Sequence, residues 1–157
     1  MIERKKNRLA DYDYSQPGAY FVTVCTKDRK CILSTVVGAD AHIGPQVRLT
    51  KTGQVARRYL ETIPGIGPYV IMPNHVHMII HVPDQEPGNG PMRASAPTVG
   101  ILIRAWKGLV TKALGQSIWQ RSFYDHVIRS EQEYTEIGEY ILGNPGKWAE
   151  DKYFYTD

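Results

Sequence analysis

Two histidines stand two residues apart in the segment VIMPNHVHMIIHV (residues 70–82), at His75 and His77. Imidazole nitrogens bind divalent cations, and two of them brought together can hold one ion. On a β-strand, side chains two residues apart share a face and lie roughly 6.6 Å apart, at a rise of about 3.3 Å per residue. The spacing therefore favours a metal-binding pair. The alternative is that both histidines are hydrogen-bonded to neighbours on a half-buried sheet.

The rest of this segment predicts how the strand is placed. His81 shares the face of the pair but lies roughly 13 Å beyond His77 at the same rise, so it cannot join that ion on a regular strand. The residues that alternate with the histidines are uniformly apolar and are expected to lie beneath helices: Val76, Met78, Ile80 and Val82. The sequence thus predicts two ligands and one outlying histidine.

A tyrosine near the C-terminal end is the second candidate for chemistry. The capping-box sequence at residues 130–133 predicts a helix that runs toward Asn144. Tyr140 lies at the edge of the apolar side of this helix, about 100° from Ile141 at 3.6 residues per turn, and Asn144 is four residues further on. The side chains expected to pack inward are Tyr134, Ile137 and Ile141.

Tyr140 and Asn144 would suit phosphoryl transfer if a cation lay beside them. A phenol is a weak nucleophile near neutral pH because its pKa is about 10, and a nearby cation stabilises the phenolate and polarises a phosphate. The amide oxygen of Asn144 suits a hard cation, so Mg²⁺ or Mn²⁺ is the predicted metal. Because the chain has ten tyrosines, a packing role for Tyr140 is the alternative.

The elements that must position these residues follow from periodicity and turn signals. The pattern predicts strands at 19–25, near 30–33, at 46–49, 69–72, 75–82 and 125–129, and helices from Thr50, over 99–114 and from Ser130. The Pro- and Gly-rich residues 83–97 predict a mobile loop. The fold predicted is α+β: a ferredoxin-like antiparallel sheet with helices on one face and a C-terminal helix carrying the tyrosine, in a single domain over 1–157.

Charge is distributed unevenly along the chain. The net charge is +3, and residues 1–60 hold 11 Lys and Arg against 5 Asp and Glu, whereas residues 61–157 hold 8 against 11. A basic N-terminal part suits contact with phosphates, although a solvated surface explains the charge as well. No apolar stretch approaches the roughly 20 residues of a membrane helix, and no secretory signal is evident, so a cytoplasmic location without membrane contact is expected.

Four segments together resemble one known family. YFVTVCTKDRKCIL, YVIMPNHVHMIIHV, IWQRSFYDHVIR and EYILGNPGKW are similar to segments of the single-tyrosine HUH transposases, in particular the branch of REP-associated tyrosine transposases. The blocks stand in the order that the family shows and cover the chain from about Tyr20 to Trp148. Together they are specific, whereas the His-x-His pattern alone is not.

This resemblance implies a DNA strand transferase. His75 and His77 would be the metal ligands, Tyr140 the nucleophile and Asn144 the third ligand. Such enzymes cleave single-stranded DNA, often beside a hairpin, keep a 5′-phosphotyrosine link, and act either alone or as homodimers. Binding of single-stranded DNA is expected to use the basic residues Arg4, Lys5, Lys6, Arg8, Arg57 and Arg58.

Three other interpretations stay open. A ferredoxin-like sheet also serves as an RNA-recognition scaffold, but the aromatic pattern for base stacking is missing and histidines stand in its place. A histidine-dependent phosphohydrolase would need a regularly alternating triad, which His75, His77 and His81 do not form. The third alternative is a relative that still binds DNA but no longer cleaves it.

Overall fold

The computed structural model describes residues 18–38, 46–82 and 98–150, and it includes the side chains of all of these except residues 149 and 150. The loop predicted at 83–97 and the four basic residues of the N-terminal segment lie outside the described residues: Arg4, Lys5, Lys6 and Arg8.

The described chain contains six strands and three α-helices. In order they are β1 (Gly18–Cys25), β2 (Ser34–Val37), β3 (Gln46–Leu49), α1 (Lys51–Leu60), β4 (Ile66–Ile71), β5 (His75–Val82), α2 (Val99–Leu114), β6 (Tyr124–Ile128) and α3 (Glu131–Gly143). A 3₁₀ segment, Asn144–Glu150, continues from α3.

Four strands form one antiparallel sheet in the order β4-β5-β1-β6, and β2 pairs with β3 in a separate two-stranded ribbon. The elements of the larger sheet follow one another along the chain as β-α-β-β-α-β, which is the element order that the term ferredoxin-like denotes. The prediction of an antiparallel α+β fold with a C-terminal helix is confirmed. β1 and β5 are the central strands.

Helices α1 and α2 cover one face of this sheet. The alternate residues of β5 from Val76 to Val82 pack there in a single apolar core with alternate residues of β1. Trp106 of α2 is buried in this core, and its indole N–H donates to the carbonyl of Ala56 in α1 at 3.0 Å, which ties the two helices together. This face therefore supplies most of the hydrophobic stabilisation.

Helix α3 and the β2–β3 ribbon lie against the opposite face. Ile141 of α3 is fully buried against Val70 and Ile79 of the sheet, and Val36 and Val47 of the ribbon pack at the same cluster. Tyr134 and Ile137 pack there too, as predicted. The histidine-bearing face of β5 is thus covered by the helix that carries Tyr140.

Two strand positions differ from prediction. The second strand was predicted near 30–33 but lies at Ser34–Val37, because residues 27–30 form a tight turn in which Asp28 and Arg29 both have positive φ. β4 begins at Ile66 rather than Tyr69, since Gly65 (φ 80°) turns the chain and a register shift between Ile66 and Tyr69 accommodates the Gly-Pro pair.

The predicted helix starts are confirmed by their caps. The Thr50 hydroxyl accepts a hydrogen bond from the Gly53 N–H at 3.0 Å, and the Ser130 hydroxyl accepts one from the Glu133 N–H at 3.1 Å. Among the described residues, no helix is both long and apolar enough to cross a membrane.

Gly53 tests how closely α1 approaches the segment that precedes β2. A Cβ at this position would overlap the carbonyl oxygen of Leu33, so we expect Gly53→Ala to lower the free energy of unfolding by about 2 kcal/mol or more through overpacking. Gly108→Ala in α2 is the matched control, because a Cβ there meets nothing within 4 Å, and it should raise stability by roughly 0.5–1 kcal/mol. Urea denaturation of both variants measures this. If the two variants changed the free energy of unfolding equally, the close approach of Gly53 to the Leu33 carbonyl would be wrong.

Candidate active site

His75 and His77 lie side by side at the start of β5. Their side chains are 0% and 1% exposed, and their ring centroids are 4.5 Å apart. They share the face opposite α1 and α2, as the alternation of residues predicts. Two imidazoles this close, both withdrawn from bulk water, form a compact pair of nitrogen donors.

Each imidazole is oriented through its Nδ1 atom. His77 Nδ1 lies 2.8 Å from the hydroxyl oxygen of Thr23, its cross-strand partner in β1, and His75 Nδ1 lies 2.9 Å from Oδ1 of Asn74. A hydrogen-bonding partner on one ring nitrogen fixes the orientation of the ring and leaves the other nitrogen for a ligand. Nε2 is therefore the atom that each histidine can offer to a cation.

Tyr140 meets the histidine pair from α3. Its ring centroid lies 5.4 Å from that of His77 and 6.2 Å from that of Phe21, a β1 residue on the same face. Unlike the histidines, Tyr140 is 42% exposed, so its side chain is accessible from solvent. The tyrosine and both histidines belong to one chain. The possible homodimer stays a prediction.

Along the chain, Asn144 lies between two residues whose rings contact the histidine pair. It lies four residues after Tyr140 and four before Trp148, whose ring centroid is 6.0 Å from that of His75. Asn144 is 2% exposed, and its Oδ1 accepts no hydrogen bond from the residues that the structure describes. A buried polar oxygen left in this state costs about 1–3 kcal/mol, which a bound cation would offset.

These side chains fit the requirements of a divalent cation. Two imidazole nitrogens and an amide oxygen would supply part of the coordination shell of such an ion, and water or a phosphate oxygen could supply the rest. In the described part of the chain, no group of three or more His, Cys, Asp and Glu side chains is arranged to hold a metal. The observation that favours a cation here is the buried Oδ1 of Asn144, which lies along the chain between Tyr140 and Trp148, two residues whose rings contact the histidines.

The remaining predicted residues lie elsewhere. His81 is separate from the pair, as predicted, and its Nε2 lies 3.1 Å from the hydroxyl of Tyr134. Arg57 and Arg58 are exposed on α1, which covers the face opposite the histidines, so they do not line this site. Their contact with DNA stays a prediction.

Sequence reasoning missed the residues that hold the histidines in place. Thr23 and Asn74 orient the two rings, while Phe21 and Trp148 pack against them. The position of Asn74, directly before His75, was the only signal available for any of them. The pairing of Thr23 with His77 depends on a strand register that spacing alone does not give.

Comparison with known proteins identifies several relatives of this chain. The chain is 32% identical to an uncharacterised protein of Haemophilus influenzae, across 98% of this chain and 94% of that one. It is 26% identical to a REP-associated tyrosine transposase of Escherichia coli, across 85% of this chain and 70% of the relative. The chain is thus similar to REP-associated tyrosine transposases. No protein-family model matches it.

A solved structure is similar to this chain at the level of the fold. A REP-associated tyrosine transposase bound to a REP hairpin superposes with a TM-score of 0.59 at 23% identity, covering 94% of this chain and 74% of that one. The fold of that protein thus covers nearly the whole chain.

Thr23→Val tests the orientation of His77. Valine keeps the shape of the side chain but removes the hydroxyl that contacts Nδ1, so we expect the affinity for Mn²⁺ to fall about 10- to 100-fold. Titration calorimetry with Mn²⁺ measures this, and Thr35→Val, the same change at an exposed strand position, is the control. If the two variants bind Mn²⁺ alike, Thr23 has no part in ligand orientation.

Proposed function

We propose that this chain is a transposase that cleaves and rejoins single-stranded DNA through a covalent 5′-phosphotyrosine at Tyr140. In this proposal His75, His77 and Asn144 hold a divalent cation, Mg²⁺ or Mn²⁺. The observation that carries it is the accessible Tyr140 ring, 5.4 Å from the ring of the buried and oriented His77. A tyrosine with only a packing role would not need to combine exposure with this position.

The relatives support DNA as the substrate. The E. coli relative is a REP-associated tyrosine transposase, and the solved one is bound to a REP hairpin. A hairpin-bearing single strand is therefore the DNA partner that we propose. The amide oxygen and the two imidazoles together suit Mn²⁺ at least as well as Mg²⁺.

Cleavage would begin at the Tyr140 hydroxyl. The phenol oxygen attacks the phosphorus of the scissile phosphodiester and gives up its proton, while the bond from phosphorus to the 3′ oxygen breaks. The 3′ oxygen takes a proton and leaves as a 3′-hydroxyl, and the 5′ phosphate stays bonded to Tyr140. The cation, when bound, neutralises charge on the phosphate and favours the phenolate.

The described side chains prepare this step. Thr23 and Asn74 hold the imidazoles in orientation, so that no ring has to reorganise during the reaction. Burial of both histidines lowers the local dielectric and strengthens their electrostatic effect. Rejoining reverses the chemistry with another 3′-hydroxyl. No nucleotide cofactor is required, because the phosphotyrosine link conserves the energy of the phosphodiester bond that was broken.

Tyr140→Phe tests the nucleophile. We expect wild-type protein incubated with Mn²⁺ and labelled hairpin-bearing single strands to give a covalent protein–DNA band on a denaturing gel, and Tyr140→Phe to give none while still binding DNA. Tyr134→Phe, on the same helix but packed against His81, is the matched control and should keep the band. His75→Ala should lose it.

The proposal fails if a broad oligonucleotide pool yields no covalent band from wild-type protein that measurably binds DNA. That result would favour a non-cleaving DNA-binding relative. A band that persists in Tyr140→Phe would instead move the nucleophile to another residue.

Asn144→Leu separates the role of the amide from the packing of the helix. Leucine removes a buried oxygen that accepts no hydrogen bond within the described chain, so the melting temperature should stay the same or rise. Covalent-band formation should fall on the order of 100-fold or more if Oδ1 is a ligand. Differential scanning calorimetry and the gel assay measure the two quantities. Full activity together with raised stability would exclude Asn144 from the metal shell.

A further inference from the structure

One lysine and two arginines line a small cavity beside α2. Arg104 and Lys107 belong to α2, where a spacing of three residues makes them neighbours on the helix surface. Arg121 reaches the same cavity from the segment between α2 and β6. The cavity has a volume of about 330 Å³, at the lower end of the range for small-molecule sites. None of the described residues that line it carries a carboxylate, so the two guanidinium groups suit a small anion.

The amine of Lys107 is held by backbone atoms. It donates to the carbonyl oxygen of Gln120 at 2.6 Å and to that of Arg121 at 3.4 Å. No third acceptor for this amine is found among the described residues. A neutral amine has two N–H groups and one lone pair, so the two carbonyls can hold both hydrogens and leave the lone pair for a molecule in the cavity.

The surroundings of this amine favour its neutral form. Lys107 is half-buried, and burial lowers the pKa of its ammonium group below the usual value of lysine. The two guanidinium groups, in contrast, stay charged at any ordinary pH. Because a desolvated lysine is uncharged more often than a lysine in water, its nitrogen is the better nucleophile near neutral pH. The cavity thus combines a nucleophile with two permanent cations.

We propose that Lys107 is a site of acylation by acyl phosphates, whose phosphate group binds to Arg104 and Arg121. In such a molecule the carbonyl carbon is bonded to a phosphate oxygen. A phosphate held by the two guanidinium groups would therefore place the electrophilic carbon beside the amine. The nitrogen attacks this carbon, the bond from carbon to the phosphate oxygen breaks, and inorganic phosphate leaves with the bonding electrons. The nitrogen gives one proton to solvent and becomes an amide.

Acylation would change both the charge and the contacts of α2. The amide is uncharged and has a single N–H, so Lys107 could keep only one of its two contacts with backbone carbonyls. This proposal goes beyond the proposed function and does not depend on it. α2 covers the face of the sheet opposite the histidine pair, and acylation can be measured whether or not Tyr140 cleaves DNA.

The test measures the rate of acetylation at individual lysines by peptide mass spectrometry. Acetyl phosphate is the first reagent. The N-hydroxysuccinimide ester of acetic acid, a neutral acyl donor without a phosphate, is the second. Lys51 and Lys112, which are exposed on helices, serve as references within the same sample. Acetyl phosphate should modify Lys107 on the order of ten-fold faster than either reference lysine, because the cavity holds the reagent beside a desolvated amine.

Two double variants that each lose two guanidinium groups separate phosphate binding from general charge. In Arg104→Gln/Arg121→Gln the rate at Lys107 with acetyl phosphate should fall on the order of ten-fold, and the rate with the neutral ester should stay close to wild type. Arg48→Gln/Arg129→Gln removes two exposed arginines outside the cavity and should behave as wild type with both reagents. Circular dichroism confirms that both variants are folded.

Four results would overturn the proposal. Lys107 that reacts with acetyl phosphate no faster than the reference lysines is not an activated nucleophile. A cavity variant that reacts as fast as wild type does not use its arginines to bind the phosphate. Equal slowing in the cavity variant and its control would mean unspecific attraction of the anion. Equal slowing of the cavity variant with both reagents would mean that the arginines affect the lysine and not the phosphate.

Discussion

The register between β1 and β5 determines the geometry of the whole site. It sets Thr23 opposite His77 and Cys25 opposite His75, and it places Phe21 where the ring of His77 packs. Because side chains alternate along a strand, the same register sends the other half of both strands into the core beneath α1 and α2. Stability and chemistry thus use opposite faces of the same two strands, and the apolar face keeps the polar one in position.

Much of this arrangement could be predicted from spacing alone. The period of two in residues 75–82 identifies which side chains share a face, and the two sets of side chains pack in separate clusters on opposite faces of the sheet. The amphipathic pattern of α3 places Ile141 inward and Tyr140 at the edge, as observed. Such features depend only on the geometry of one element, so one sequence suffices to predict them.

What could not be predicted depends on contacts between elements or on unusual backbone. The partnership of Thr23 with His77 spans 54 residues and follows from the register of two strands. β2 begins later than predicted because Asp28 and Arg29 form a turn with positive φ, and no glycine in the sequence marks this turn. The side chains of Arg104, Lys107 and Arg121 come together from a helix and a loop, which charge counts along the chain do not reveal.

The buried Oδ1 of Asn144 links the site to the thermodynamics of the whole chain. An oxygen that is withdrawn from water and hydrogen-bonded to no described residue raises the free energy of the folded state, whereas water satisfies the same oxygen in the unfolded state. Whatever satisfies this atom in the native protein binds the folded form in preference to the unfolded one, and so shifts the folding equilibrium by mass action. Occupancy of the site and the lifetime of the folded protein would then vary together. The supply of the ligand in the cell would influence how much folded protein persists as well as how fast it works.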